Sequence, residues 1–428
     1  MLHSAFLLLA NVHQTEAMVL QLLVQLVVIL LAAWIGGGLF ERFGQPRVVG
    51  EILGGLVLGP SCLGRLYPNA LIWLFPPESE PLLKILGQLG LILLMLEVGL
   101  EFDFQHLRQT GRAAASIALA GILLPFALGC GLGWAMHSTV AADYNRLGFI
   151  LLLATTLSIT AIPILGRIMI GLKMQRTPVG VLTITAAAID DVLGWILLAA
   201  VSGLVTGNFD VGRSLTQLAY LLLFVAVCWG VVRPMGKWVA QHCDTQEGDF
   251  RLVSFLLLTA FGSAIVTNWI GVFSIFGPFV IGASLSGEPR FRTVCQSRMH
   301  GLVAALLLPV FFTFTGLRTN IGMISSPTLW MWCGLITLAA TVGKMAGCGI
   351  ASRLAGFSWR QSGIVAVMMN TRALMGLVAI NVGRELEVLP DSVFSMLIIM
   401  AVITTIVTVP LLNLLLTADD RNPTDTNR

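Results

Sequence analysis

Asp190 and Asp191 stand side by side within a long apolar run, GVLTITAAAIDDVLGWILLAAVSGLV (Gly180 to Val205). A carboxylate at membrane depth is expensive, and an acid placed there by default marks an ion or proton path. Two in succession are hard to explain as packing. On a helix, neighbouring side chains diverge by about 100°, so the two acids need not share one ligand. One can face a cavity while the other faces an adjoining helix. Lys344, in TLAATVGKMAGCG, is the one lysine well inside an apolar span and the natural ion-pair partner. Pairing it with Asp190 leaves Asp191 as the principal ligand for a cation. The bland alternative is a structural pair with no transport role.

The chemistry that follows is competition. A desolvated carboxylate beside a second one holds a proton more readily. A bound alkali cation displaces that proton, and a proton displaces the cation. If the site crosses the membrane only when it carries one or the other, the outcome is cation/proton exchange. The acids and Lys344 would titrate as a coupled set. If Lys344 also releases a proton, two protons move per monovalent cation, and exchange is electrogenic.

These groups must be held by helices. The chain has 428 residues, of which 56% are hydrophobic and 11% charged. Soluble domains carry about 25% charged residues, so lipid must be the solvent for most of this surface. The runs do not alternate as barrel strands would, which leaves an all-α polytopic membrane protein. A net charge of +3 gives no reason to expect nucleic acid. The seven cysteines are scattered singly, without metal-type spacing, and read as small packing residues. The residues before Glu16 lack the basic flank and cleavage site of a signal peptide.

Thirteen apolar runs are long enough to be candidate spans. Seventeen of the 25 Lys and Arg fall in one set of alternate loops and six in the other, while Lys344 and Arg372 lie within spans. The rich side is expected in the cytoplasm, with the N-terminus outside and the C-terminus inside. Thirteen spans divide as six, one and six, the arrangement of inverted repeats around a linker helix. The fifth span is interrupted by LSITAIPIL (Leu157 to Leu165) and the twelfth by MNTRAL (Met369 to Leu374). Matched interrupted spans point to a midplane site. Thr155, Thr156, Ser158 and Thr160 are the candidate oxygen ligands beside Asp191, with Ser158 and Thr160 preferred. Arg372 reads as a counter-charge at the second interruption, and Asn370 and Thr371 as residues that satisfy freed backbone groups there. The run Gly50-Glu51…Gly54-Gly55…Gly59 reads as close helix packing, with Glu51 a candidate entrance or pH-sensing acid.

The strings RVVGEILGGLVLGPSCLG (Arg47 to Gly64), LEVGLEFDF (Leu96 to Phe104), SITAIPILGRI (Ser158 to Ile168), AAAIDDVLGW (Ala186 to Trp195) and MNTRALMGLVAINVG (Met369 to Gly383) resemble the monovalent cation:proton antiporter-2 family. The likeness runs from about Val48 to Leu416. It implies the sodium/proton antiporter fold, with two broken helices that cross, and a homodimer. The implied division is dimerisation helices 1–3 (residues 1–110), core helices 4–6 (111–207), a linker helix (208–245), dimerisation helices 8–10 (246–320), core helices 11–13 (321–417) and a disordered cytoplasmic tail (418–428). The core would travel as an elevator against the dimerisation half. The aspartate pair implies sodium as cargo, with potassium the alternative, and an electrogenic cycle. No cofactor is implied beyond Na⁺ or K⁺ and H⁺.

Two departures carry consequences. Many relatives have glycine where this chain has Ala373, and potassium-efflux members carry a nucleotide-binding domain after the last span. The chain is therefore expected to lack an attached regulatory domain and to sit in the plasma or inner membrane. The rival readings are a sodium-coupled organic-anion symporter of related fold, a potassium-efflux protein, an intramembrane aspartyl protease and a gated potassium channel. Adjacent acids on one helix suit the protease poorly, and no carbonyl-lined filter string appears for the channel.

Overall fold

A computed structural model describes residues 2–101, 111–160, 165, 168, 169, 174, 177–206, 211–242 and 246–416. The Ala161–Ile164 part of the fifth-span interruption and the tail 418–428 lie outside the described residues. Every regular element among the described residues is a helix. With no water at membrane depth, helices satisfy their own backbone groups where open strands would not.

The principal helices are α1 (Leu2–Arg42), α2 (Arg47–Leu58), α3 (Glu80–Leu100), α4 (Gly111–Val140), α5 (Arg146–Ser158), α6 (Pro178–Thr206) and α7 (Val211–Val227). They continue as α8 (Gln246–Ile270), α9 (Phe276–Leu285), α10 (Leu308–Leu317), α11 (Pro327–Leu354), α12 (Trp359–Met368), α13 (Ala373–Glu385) and α14 (Asp391–Leu415). Ten described helices are long and apolar enough to cross a membrane. Of the expected spans, the fifth and ninth contain the shorter apolar helices Arg146–Ser158 and Phe276–Leu285, and the twelfth is split into α12 and α13. The chain is a multi-pass membrane protein.

Local sequence sets the helix ends. Asn145 caps α5 by accepting the Gly148 N–H. Ser326 caps α11 with Pro327 in its first turn, and Ser358 with Gln361 closes a capping box on α12. Prolines explain irregular turns. Pro234 cannot donate a helical hydrogen bond, and a π turn at Cys228–Val232 precedes it. Pro410 lies inside α14 and leaves the Ile406 carbonyl without its usual N–H partner. Gln45 Nε2, from the α1–α2 connection, donates to that oxygen at 3.3 Å.

The helices pack as two groups. In the first, α2 packs on α1 and α10, α3 on α9 and α10, and α8 on α9. In the second, α4 packs on α5, α6 and α11, while α14 packs on α11, α12 and α13. α7 touches α6 and α8, and the π turn that follows it touches α9. Glycine permits the tightest approaches. A Cβ at Gly55 would run into the Thr313 carbonyl, and α3 and α9 cross where Gly99 meets Gly282. The glycine run of α2 thus serves close packing.

Candidate functional site

The second group carries the site. Asp190 and Asp191 lie mid-way along α6, both buried, with Asp191 1% exposed. α5 ends at Ser158, and Ile159 and Thr160 are non-helical. A helix end leaves carbonyl and N–H groups without intrahelical partners, and here side chains take them up. Lys344 Nζ, from α11, donates to the Ser158 carbonyl at 2.5 Å and to Asp190 Oδ1 at 2.7 Å. The Thr160 N–H donates to Asp190 Oδ2 at 3.0 Å. The Lys344–Asp190 pair therefore fills both hydrogen-bonding roles that the interruption opens. Close packing of α4 on α11 makes room for the amine. A Cβ at Gly121 would stand 3.7 Å from Lys344 Nζ and much closer to Cys348 Sγ.

Asp191 differs sharply from its neighbour. Neither of its carboxylate oxygens has a hydrogen-bond partner among the described residues. A buried carboxylate without donors is costly. It is stabilised only by protonation or by a cation, which is the chemistry an exchange site requires.

The second interruption lies between α12 and α13, at Met369–Arg372. Thr160 Oγ1 donates to the Met369 carbonyl at 3.1 Å, so the two interruptions touch. Thr371 Oγ1 donates to the Met368 carbonyl at 3.1 Å. The Arg372 guanidinium is fully buried and donates to the Ala340 carbonyl of α11 through Nη2, while Nε and Nη1 have no acceptor. One expectation fails here. Asn370 was expected to satisfy freed backbone groups, yet among the described residues its buried amide has no partner on either Nδ2 or Oδ1. The freed carbonyls of Met368 and Met369 are taken by threonine hydroxyls instead, Thr371 reaching back along its own chain segment and Thr160 crossing over from the first interruption.

Thr155, Thr156 and Ser158 are buried, and each donates to the carbonyl four residues earlier, at Leu151, Leu152 and Ala154. Such back-bonding uses the hydroxyl proton and leaves oxygen lone pairs. Glu51 lies apart from this assembly, on α2 in the first group. It is 4% exposed and accepts from Arg47 Nε at 3.2 Å.

Several participants were missed because they are backbone atoms. The carbonyls of Ser158, Ala340 and Met369 carry no residue-type signal. Trp195 was missed for a different reason. It follows Asp191 by four residues on the same helix and is 1% exposed with no acceptor for Nε1. In sequence it reads as one more apolar residue.

Residues 26–418 match the family model described as "Sodium/hydrogen exchanger, transmembrane". The chain is 37% identical over 394 residues to Cation/H(+) antiporter 17 of Arabidopsis thaliana, covering 91% of this chain and 48% of that protein. It therefore spans about half the length of the plant relatives it matches. It is 35% identical over 396 residues to Na(+)/H(+) antiporter NhaS4 of Synechocystis, covering 92% of this chain and 96% of that one. In structure it is similar to the sodium proton antiporter MjNhaP1 of Methanocaldococcus jannaschii. That likeness has a TM-score of 0.68 at 16% identity, over 91% of this chain and 96% of the other. It shows a shared fold.

Proposed function

This chain belongs to the sodium/hydrogen exchanger family, and from that premise we propose that it is a secondary active monovalent cation/proton antiporter in which both ions compete for Asp191. The observation that carries this reading is the contrast between adjacent acids. Asp190 is occupied by Lys344 and the Thr160 N–H, whereas both oxygens of Asp191 are buried and unpartnered. A proton or an alkali cation is what such a carboxylate lacks.

In the proposed cycle, ionised Asp191 takes a cation from one face. Lone pairs from Thr155, Thr156, Ser158 and Thr160 replace part of its hydration shell. The second helix group moves against the first as an elevator, and on the far side a proton displaces the cation. Lys344 holds Asp190 in place and, by releasing a proton when the cation binds, makes exchange electrogenic. Arg372, with Thr371, steadies the second interruption, and Glu51 stands as an entrance acid on the first group. Sodium is the first expected cargo and potassium the alternative. Among the relatives, a yeast protein is named K(+)/H(+) antiporter 1 and a Bacillus cereus protein Na(+)/H(+)-K(+) antiporter GerN. The first group, 1–110 with 246–320, serves as the face of a homodimer. The basic face is cytoplasmic, and the chain resides in the plasma or inner membrane.

The test uses proteoliposomes that hold a trapped pH dye, with Na⁺, K⁺ or Li⁺ added outside. Wild type is expected to release protons in a cation-dependent manner and Asp191→Asn to lose that release. Robust exchange by Asp191→Asn would overturn the reading.

A further inference from the structure

The elements on the two sides of Asp191 are not equivalent. Trp195 lies four residues beyond Asp191, toward the Thr206 end of α6 and away from the basic face. Residues four apart on a helix share one stripe, one turn or about 6 Å along the axis. Trp195 is among the largest fully buried side chains of the protein. Its ring stacks on Phe279 of α9, with centroids 5.9 Å apart and planes at 30°. α9 belongs to the first helix group, so this aromatic contact bridges the two groups within one turn of the unpartnered acid. Beside it, Gly194 packs on Ile159, in the non-helical end of α5. A Cβ at Gly194 would stand 3.1 Å from Ile159 Cγ1.

The indole N–H carries the argument further. A buried tryptophan N–H ordinarily finds an acceptor, and Trp195 Nε1 has none among the described residues. A residue selected for stacking alone needs no N–H there. Its neighbour one turn away, Asp191, is equally short of donors. A donor and an acceptor, both unmet and on one stripe, suit an arrangement in which water reaches them together.

We propose that Trp195 and Phe279 form a plug that shuts the passage between Asp191 and the face opposite the basic one, with Trp195 a positioning residue whose N–H is satisfied when the plug parts. The proposal rests on the exchanger reading for its purpose, since a plug matters only if Asp191 is reached in turn from each face. An aromatic stack is suited to the task. It excludes water without a directed bond, and parting it strands no ion in the bilayer. At the rim on that same face, further contacts join the two groups. Lys84 Nζ and Gln88 Nε2 of α3 meet Glu385 of α13 at 3.3 and 3.2 Å, and Thr206 Oγ1 donates to the Gly271 carbonyl at 3.2 Å.

The decisive measurement is sided labelling, which does not depend on transport. Asp191→Cys protein in sealed proteoliposomes is exposed to a membrane-impermeant thiol reagent from one face at a time. The peptide that bears residue 191 is then quantified by mass spectrometry, which separates it from the native cysteines. Adding Trp195→Ala or Phe279→Ala is expected to speed labelling at least tenfold from the face opposite the basic one and to leave labelling from the basic face unchanged. Adding Trp195→Phe, which keeps a ring, is expected to leave both rates near the parent's. In the Asp191 protein, Trp195→Phe is expected to slow exchange severalfold.

Labelling within twofold of the parent for both alanine variants, or a rise that is equal from both faces, overturns the plug. Unchanged exchange in Trp195→Phe overturns the role of the N–H. If the Asp191→Cys background fails to fold, backbone hydrogen exchange over residues 187–195 in Trp195→Ala replaces the labelling. Faster exchange there supports the plug, and unchanged exchange overturns it. A wild type that exchanges no cation sinks the transport reading while labelling still decides the plug.

Discussion

Both helix groups bury extensive apolar surface, but they differ in the charge they hold. Asp190, Asp191, Lys344 and Arg372 are all buried in the second group, whereas Glu51 is the only charged side chain buried in the first among the described residues. Glu51 also has a partner four residues away on its own helix, Arg47, whose side chain is 36% exposed. The charges of the second group are drawn from α6, α11 and the interruption before α13, and both members of the Lys344–Asp190 pair are fully buried. One group resembles an ordinary membrane scaffold. The other ties its helices together through buried polar contacts and leaves the Asp191 carboxylate unmatched among the described residues.

The comparison breaks most readily at Lys344. Lys344→Leu leaves Asp190 as an uncompensated buried charge, and removing one partner of a buried pair costs about 3–5 kcal/mol. A large fall in the apparent Tm of the purified protein is expected, and Asp190→Asn in the same chain is expected to recover most of it. Any exchange that survives in the double variant should have lost its response to an imposed membrane voltage. An undiminished voltage response would reject proton release by Lys344.

A smaller effect is expected at the contact between the interruptions. Thr160→Val removes one neutral hydrogen bond, worth about 1 kcal/mol, and one candidate ligand oxygen. The apparent KM for the cation is expected to rise more than the Tm falls. Equal KM values in proteoliposomes would remove Thr160 from the ligand set and leave it a structural tie. The smallest effect belongs to the rim. Lys84 is 38% exposed where it meets Glu385, and exposed pairs contribute about 0.2–1 kcal/mol. Lys84→Ala is therefore expected to change the Tm by a few degrees at most. A shift as large as that of Lys344→Leu would erase the distinction between surface and buried charge drawn above.

Much of this arrangement is legible in the residues themselves. Charge at membrane depth is visible as Asp190, Asp191, Lys344 and Arg372 within apolar runs, and both interruptions show as polar stretches. The 100° between neighbours does not say which aspartate turns toward Lys344. That choice follows from where α5 ends, because the Ser158 carbonyl and the Thr160 N–H hold the pair on one side. Backbone acceptors have no residue signature, so the Ala340 carbonyl that receives Arg372 was invisible. Asn370 was misjudged because an amide beside a broken helix commonly caps it, whereas here shorter hydroxyls reach the freed carbonyls first. Trp195 was hidden by its hydrophobicity, since its relation to Phe279 exists only once α6 and α9 are packed.

The hydrogen bond from Thr160 to the Met369 carbonyl has a thermodynamic consequence. It fastens one interruption to the other, so in the proposed cycle the oxygens around the cation keep their spacing while the second group moves. On that proposal an ion would meet the same cage at either end and be held with the same affinity. Such a cycle would have no built-in direction. It would run forwards or backwards as the two gradients dictate, and reversing them would reverse it.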